Sequence, residues 1–233
     1  MKTEILGVKI DNLTREEISE KIDGFLADGR QHYLVLPYSE FIVQAAAEPE
    51  FLNLLNRSDL SLCESRGLFL ALKLLGQPVK EQVAGVDLVR QISRKHPGVF
   101  LLGGGEGVAE RTAQILGSNI TGVRDGYRGL AAAVESINQV RPEILFVALG
   151  MPKQEKWINE NLSKMPSVKL AVGVGGAFDF ISGRIKRAPR FARQSGLEWL
   201  WRFCRQPWRL KRIFKAGFVF PWLAIKSKLS PKK

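Results

Sequence analysis

"EILFVALGMPKQEKWINENL", residues 143–162, decides the fold of this chain. Residues 144–149 are apolar without a break, which is how a strand buried on both faces of a parallel sheet reads. Gly150 and Pro152 then end the run. Proline suits a first helical turn, because the N–H it lacks would be unpaired there anyway. A helix is therefore predicted from Lys153 onward. One buried strand thus hands over to one helix, with Lys153, Gln154 and Glu155 clustered at the joint.

The same handover recurs along the chain. Strands are predicted at "YLVL" (33–36), "DLSL" (59–62), "GVFLLGG" (98–104) and "KLAVGVGG" (169–176). Helices are predicted after the T-x-x-E capping box of Thr14 and Glu17, at "SEFIVQAAA" (39–47) with Ser39 as its cap, and at "GLFLALKLL" (67–75). Further helices are predicted at "VDLVRQISRK" (86–95), "GVAERTAQIL" (107–116) and "LAAAVESINQV" (130–140). Apolar strands alternating with helices specify an α/β protein: a Rossmann-like, mostly parallel sheet with helices on both faces.

At 233 residues the chain can hold one large domain with an appendage. Its net charge of +12 is concentrated at one end. Residues 184–233 hold 15 Lys and Arg against one acid, Glu198, whereas the first 183 residues are slightly acidic. That segment also interleaves Trp and Phe with its cations. A boundary near residue 190 follows: an α/β domain over 1–190 and a basic, Trp-rich helical appendage over 191–233. The asymmetry predicts an anionic partner. The run "AGFVFPWLAI" (216–225) is too short to span a bilayer but suits its interface, so the expected partner is an anionic membrane surface. Interleaved Trp argues against nucleic acid. No secretion signal is read at the N-terminus, and Cys63 and Cys204 read as reduced thiols with no metal spacing. These features predict a cytoplasmic, peripheral membrane protein.

Four predicted strand ends carry residues suited to chemistry, and in open α/β sheets ligands bind at that edge. "SLCESRGL" (61–68) puts Glu64 and Arg66 between two apolar stretches. "LLGGGEGVAE" (101–110) offers Gly103 and Gly104 where a backbone can approach a phosphate. Gly150, Gln154 and Glu155 form the third cluster; the Gln154 side chain gains nothing from the helix dipole and is read as free to bond a ligand. Asp179 in "GVGGAFDFISGR" (173–184) is the fourth, expected to be half-buried among phenylalanines. Tyr127, in the loop "RDGYRG", could stack on a flat base. The glycine turn is not G-x-G-x-x-G, and no acidic ribose partner follows it, which argues against a nicotinamide cofactor.

Taken together, "EQVAGVDL", "LLGGGEGVAE", "GMPKQEKW", "GVGGAFDFISGRIKRAP" and "GLEWLWRFCRQPWRLKR" resemble the WecG/TagA/CpsF family of bacterial glycosyltransferases, over about residues 4–214. The resemblance implies inverting transfer of an N-acetylmannosamine-type sugar from UDP to N-acetylglucosamine on a polyprenyl diphosphate. It implies no metal and no separate cofactor, and it allows a homo-oligomer. It places the catalytic carboxylate on Glu64, the P-K-Q-E glutamine on Gln154, the G-G-A-F-D aspartate on Asp179 and the tyrosine on Tyr127. The appendage arginines fall on Arg202, Arg209 and Arg212.

The chain departs from the family at one pocket. Glu64 stands for an aspartate, and Gln82 for the arginine before V-A-G-x-D. Leu36 and Tyr38 stand for threonine and asparagine at the first strand end. Arg66 is the candidate that replaces the lost cation. An active transferase with an altered pocket is the expected reading. A member that binds UDP-sugar or the lipid-linked acceptor without turnover is the alternative.

Overall fold

A computed structural model describes residues 2–126, 130–186, 189 and 214–229. Two short strands, β1 (Lys2–Ile5) and β2 (Val8–Asp11), form an antiparallel hairpin apart from the main sheet. The sequence pattern predicts no strands here. Each is only four residues long, and the turn uses Leu6 and Gly7 at positive φ.

The main sheet follows. α1 (Arg15–Ala27) leads into β3 (His32–Val35), then α2 (Ser39–Ala47), α3 (Pro49–Asn56) and β4 (Leu60–Ser61). α4 (Arg66–Leu74) and α5 (Gly85–Lys95) carry the chain to β5 (Val99–Gly103), α6 (Val108–Leu116) and β6 (Ile120–Arg124). A 3₁₀ turn (Leu130–Ala132) opens α7 (Ala133–Val140). β7 (Ile144–Ala148), α8 (Lys153–Asn161), β8 (Leu170–Gly173) and α9 (Ala177–Ile181) complete the unit. The strand order is β4-β3-β8-β7-β5-β6, and every pairing is parallel. The fold is the Rossmann-like α/β architecture that the alternating pattern predicts.

Side chains alternate cleanly between the two faces, as a doubly covered sheet requires. Tyr33, Val35, Phe100, Leu102, Leu145 and Val147 pack in one core with residues of α2, α3, α4, α7 and α8. Leu34, Val99, Leu101, Phe146 and Val172 pack on the other face with residues of α1, α5, α6 and α9.

Local capping chemistry fixes the entry to α1. Thr14 Oγ1 accepts from the Glu17 N–H, and the Glu17 carboxylate accepts from the Thr14 N–H, the reciprocal box predicted from T-x-x-E. At α2 the expectation changes. Ser39 is the first helical residue, and Tyr38 is the cap residue without a side-chain cap bond. The serine is buried instead, with its hydroxyl against the start of α4 at Gly67. β4 is two residues rather than four: the Leu62 and Glu64 N–H groups still donate across to the Val35 and Pro37 carbonyls, but Pro37 has no N–H with which to continue the ladder.

After the sheet, a π-helical turn (Lys215–Val219) leads into α10 (Phe220–Leu229), which packs on α2. Pro221 near the start of α10 cannot donate a helical N–H, and the preceding π turn takes up the mismatch. Phe220 and Ala224 face the core. Phe214, Phe218, Trp222 and Ile225 stay 57–63% exposed. Lys226 Nζ sits 5.1 Å from the Trp222 ring. No described helix is long and apolar enough to cross a membrane.

Candidate functional site

The C-terminal ends of the parallel strands gather the predicted residues on one edge. At the end of β4, the chain turns through Cys63 and Glu64 before Ser65 caps α4, its Oγ accepting from the Leu68 N–H. Glu64 Oε1 accepts from the Gly85 N–H at 3.1 Å, the first residue of α5. Gly85 leaves room for that carboxylate: a Cβ there would stand 2.9 Å from its oxygen and 3.2 Å from Leu36 Cδ1, so both side chains would have to shift. Gln82 Nε2 donates to the Glu64 carbonyl at 2.9 Å, and the Val83 N–H donates to the Cys63 carbonyl. The 82–85 segment therefore holds both the backbone and the carboxylate of Glu64. Gln82 takes its place in the pocket as a tether on Glu64.

Leu36 and Tyr38 line the same corner. Leu36 is in the core, so the end of β3 presents methyl groups. Tyr38 packs edge-on against Phe41, with ring centroids 4.7 Å apart. Arg66 opens α4 with its guanidinium 5.0 Å from the Phe69 ring centroid, and its Nε is buried without a hydrogen-bond partner.

The P-K-Q-E cluster departs from the sequence expectation. Gln154 is 2% exposed, and both its amide oxygen and its amide nitrogen have protein partners. Its Oε1 accepts from the Gly150 N–H at 3.1 Å and the Gly175 N–H at 2.9 Å. Its Nε2 donates to Glu155 Oε1 at 2.6 Å. The glutamine is a clamp between the turns after β7 and β8, and both partners are glycine N–H groups that a residue pattern does not display. Gly173 makes room for it: a Cβ there would meet Gln154 Nε2 at 2.7 Å and Glu155 Oε1 at 2.9 Å.

Glu155 is 0% exposed. Burial pushes its carboxyl up to about 7, and the nearby Glu64 carboxylate adds to the rise while the Gln154 bond opposes it. Burial likewise holds the Tyr33 hydroxyl well above its usual range, with Glu155 contributing. The Cys63 thiol is pushed up to about 12 by burial and Glu64, which makes it an inert core group.

The Glu155 shift has a stability consequence. Its folded value is raised above the ordinary carboxyl value of 4.5, so the folded chain holds that proton more tightly than the unfolded one. Stability from this group is full below about 4.5 and falls as pH rises to about 7, where the loss levels off. The loss is on the order of 3 kcal/mol. Urea unfolding of the wild type and of Glu155→Gln across this range should show their stability difference change by that amount. Parallel curves would contradict the assignment.

On the other side of the edge, the turn after β5 is crowded by backbone. The Gly104 N–H donates to the Ala148 carbonyl at 3.0 Å, and the loop after β6 passes over Gly103 at Gly126. Asp179 stands on the short α9, half-buried as expected, with Arg184 Nη1 3.7 Å from its Oδ1. That guanidinium also lies across Gly105, in the space that a Cβ there would fill. Arg184 is absent from the residues that the sequence pattern singles out. Only the fold brings residue 184 back over the glycine turn at 103–107. Tyr127, Arg202, Arg209 and Arg212 lie outside the described residues, as does most of the appendage expected over 191–233. No group of described side chains has the makeup to hold a metal ion.

An acid at a strand end, glycine turns on two neighbouring strands and an arginine over one of them form an edge suited to an anionic, group-transferring ligand. The comparisons agree with that geometry. The model of the "Glycosyl transferase WecG/TagA/CpsF family" matches residues 3–233. A Staphylococcus aureus (strain MRSA252) protein named "N-acetylglucosaminyldiphosphoundecaprenol N-acetyl-beta-D-mannosaminyltransferase" is 30% identical over 244 residues, covering 100% of this chain and 95% of the relative. Its counterpart from strain MW2 is 29% identical over the same extent. With its sheet edge and nearly its whole length matched, this chain belongs to the WecG/TagA/CpsF family of glycosyltransferases.

Proposed function

We propose that this chain is a membrane-associated, inverting transferase that moves an N-acetylhexosamine of the N-acetylmannosamine type from UDP to N-acetylglucosamine on a polyprenyl diphosphate. The observation that carries the reading is the Glu64 carboxylate, held at the sheet edge by the first N–H of α5. The names of the relatives supply the sugar class and the lipid-linked acceptor.

In this reading Glu64 removes the acceptor hydroxyl proton as that oxygen attacks the anomeric carbon. The bond to UDP breaks on the opposite face, and UDP leaves with the bonding pair. Its diphosphate lies against the glycine turns after β5 and β7, and Arg184 offsets the charge that develops there. Arg66 lines the acceptor side. No metal or separate cofactor takes part.

Membrane attachment is assigned to the C-terminal segment, which also supplies the net positive charge. α10 is seated on α2 by Phe220 and Ala224, so its exposed side presents Phe214, Phe218, Trp222 and Ile225 outward together. An apolar stripe flanked by Lys215 and Lys226 suits the headgroup boundary of an anionic leaflet. The cytoplasmic face, where UDP-sugars and anionic lipid meet, is the side assigned.

One experiment tests both parts. The purified protein is mixed with anionic vesicles that carry the lipid-linked acceptor, and UDP release is followed over a panel of UDP-N-acetylhexosamines. Co-sedimentation with the vesicles and acceptor-dependent UDP release are expected. UDP binding without release from any donor would favour the binding-only alternative, which the apolar end of β3 at Leu36 motivates. Failure to bind UDP would sink the transferase reading, and failure to bind UDP and the acceptor-bearing vesicles alike would sink both.

A further inference from the structure

The least expected group at this edge is Glu155, a carboxyl with no exposed surface in the first turn of α8. A surface helix would place an acid here for the dipole, in water. Here it lies beneath Gly173 of β8, and among the described residues only one of its oxygens has a protein partner: Oε1 accepts from Gln154 Nε2, while Oε2 has none. The elements around it supply little charge. β7 and β8 carry no titratable side chain, and the acid of α3, Glu50, is exposed. Lys153, Lys156 and Glu160 of α8 itself are exposed, as is Lys164 beyond it. Among the described residues, Glu64 acts on it, and Glu155 in turn acts on the buried Tyr33 hydroxyl of β3, which has no hydrogen-bond partner there.

What Glu155 controls is the orientation of an amide. A glutamine amide can be placed with oxygen and nitrogen exchanged, and only its partners decide which way it lies. Glu155 Oε1 accepts a proton and so selects the nitrogen for its side. The oxygen must then face Gly150 and Gly175, whose N–H groups it collects from two different turns. Both glycines have positive φ, +76° and +51°, which glycine adopts without strain, and the shared amide oxygen ties their two turns together. We propose that Glu155 is a positioning residue of the nucleotide site: it holds the Gln154 amide, and that amide sets the turns after β7 and β8 in the geometry that receives UDP. The inference rests on the proposed function, in which these turns are the donor side of a transferase.

Ionisation is where this role differs from simple packing. As a neutral acid, Glu155 accepts from Gln154 without placing a charge in the core. As an anion it sits beneath β8 with one hydrogen bond, a poorly compensated buried charge. Water must then enter, or the first turn of α8 must move outward. Either change loosens the Gln154 clamp and with it both turns. A displacement of about 1 Å at such a site costs up to about 10²-fold.

UDP affinity, measured by calorimetry between about pH 6 and about pH 8.5, tests this on the full-length wild type, Glu155→Gln and Glu155→Ala, with thermal unfolding run on each. Glu155→Gln keeps an oxygen for Gln154 Nε2 and cannot ionise. It is expected to match the wild type at the acid end and to bind UDP about tenfold more tightly than the wild type at the alkaline end. Taking the ratio of the two proteins at each pH cancels the titration of the UDP phosphate itself. Glu155→Ala, which frees the amide, is expected to bind at least about tenfold more weakly at every pH. If the wild type binds UDP and the Glu155→Gln curve superimposes on it, the inference alone is overturned. A folded Glu155→Ala with wild-type affinity has the same meaning. No UDP binding by the wild type at any pH would overturn the donor-site reading and the inference with it.

Discussion

Glu64→Gln is expected to lower acceptor-dependent UDP release by about 10²–10⁴-fold while leaving UDP affinity and folding unchanged, because a positioned general base contributes about that much. The substitution isolates the proton transfer. Glutamine has the same length, and its amide oxygen can still accept from the Gly85 N–H that holds Glu64 Oε1 at 3.1 Å. The Gln82 bond goes to the backbone carbonyl of residue 64 and is indifferent to the change. Leu36 and Gly85 still enclose the group. What disappears is the capacity to take the acceptor proton. Rates measured with saturating donor and lipid-linked acceptor, beside UDP calorimetry, separate chemistry from binding. Turnover equal to wild type would remove Glu64 from the mechanism, and a parallel loss of UDP affinity would make it a binding group instead.

The sheet was legible where its strands are apolar runs ended by glycine or polar residues, as in "EILFVALG" and "GVFLLGG"; β6, "ITGVR", has no such run and was not legible in this way. The α1 entry was legible because a capping box is a local contract between residues three apart. The hairpin of β1 and β2 was not, because four-residue strands give too short a pattern to distinguish from a loop. Within the candidate site, the residues read from strand ends fall on one edge of the sheet, but their partners were hidden. Gln154 reads as a polar group at a helix start. Its oxygen is committed to an N–H 21 residues away, which no local spacing can show. Arg184 reads as one cation in a basic tail, and its position over Gly105 depends on how α9 turns back across the sheet. Glu155 looks like a dipole-friendly surface acid, and only the packing of α8 on β8 buries it. Sequence specified which strand ends carry polar groups; three-dimensional packing decided which of those side chains are buried against one another and which are not.

Gly103→Ala should be the most damaging of the small substitutions at this edge. Gly103 ends β5 at φ +114°, a conformation that side chains rarely adopt. Its register partner on β7 is Ala148. A methyl group on Gly103 would stand 2.5 Å from the Ala148 carbonyl oxygen, 2.6 Å from its carbonyl carbon and 3.0 Å from its Cα. None of these atoms belongs to a flexible side chain, so the collision cannot be relieved by a rotamer change. The backbone strain costs about 1–3 kcal/mol. Overpacking adds about 1–3 kcal/mol, at the upper end here because two central strands must separate. A loss of about 4 kcal/mol or more follows, and for a chain of this size Tm should drop by about 10 °C or more. Separation of β5 from β7 would also break the Gly104 N–H bond to Ala148, so UDP binding should weaken along with stability. Gly107→Ala is the matched control. Gly107 also has positive φ, +69°, but a Cβ there meets nothing within 4 Å. It carries the conformational cost alone, about 1 kcal/mol. Equal melting temperatures for the two variants would show that β5 and β7 can part at almost no cost, and that the positive φ alone sets the penalty at both glycines.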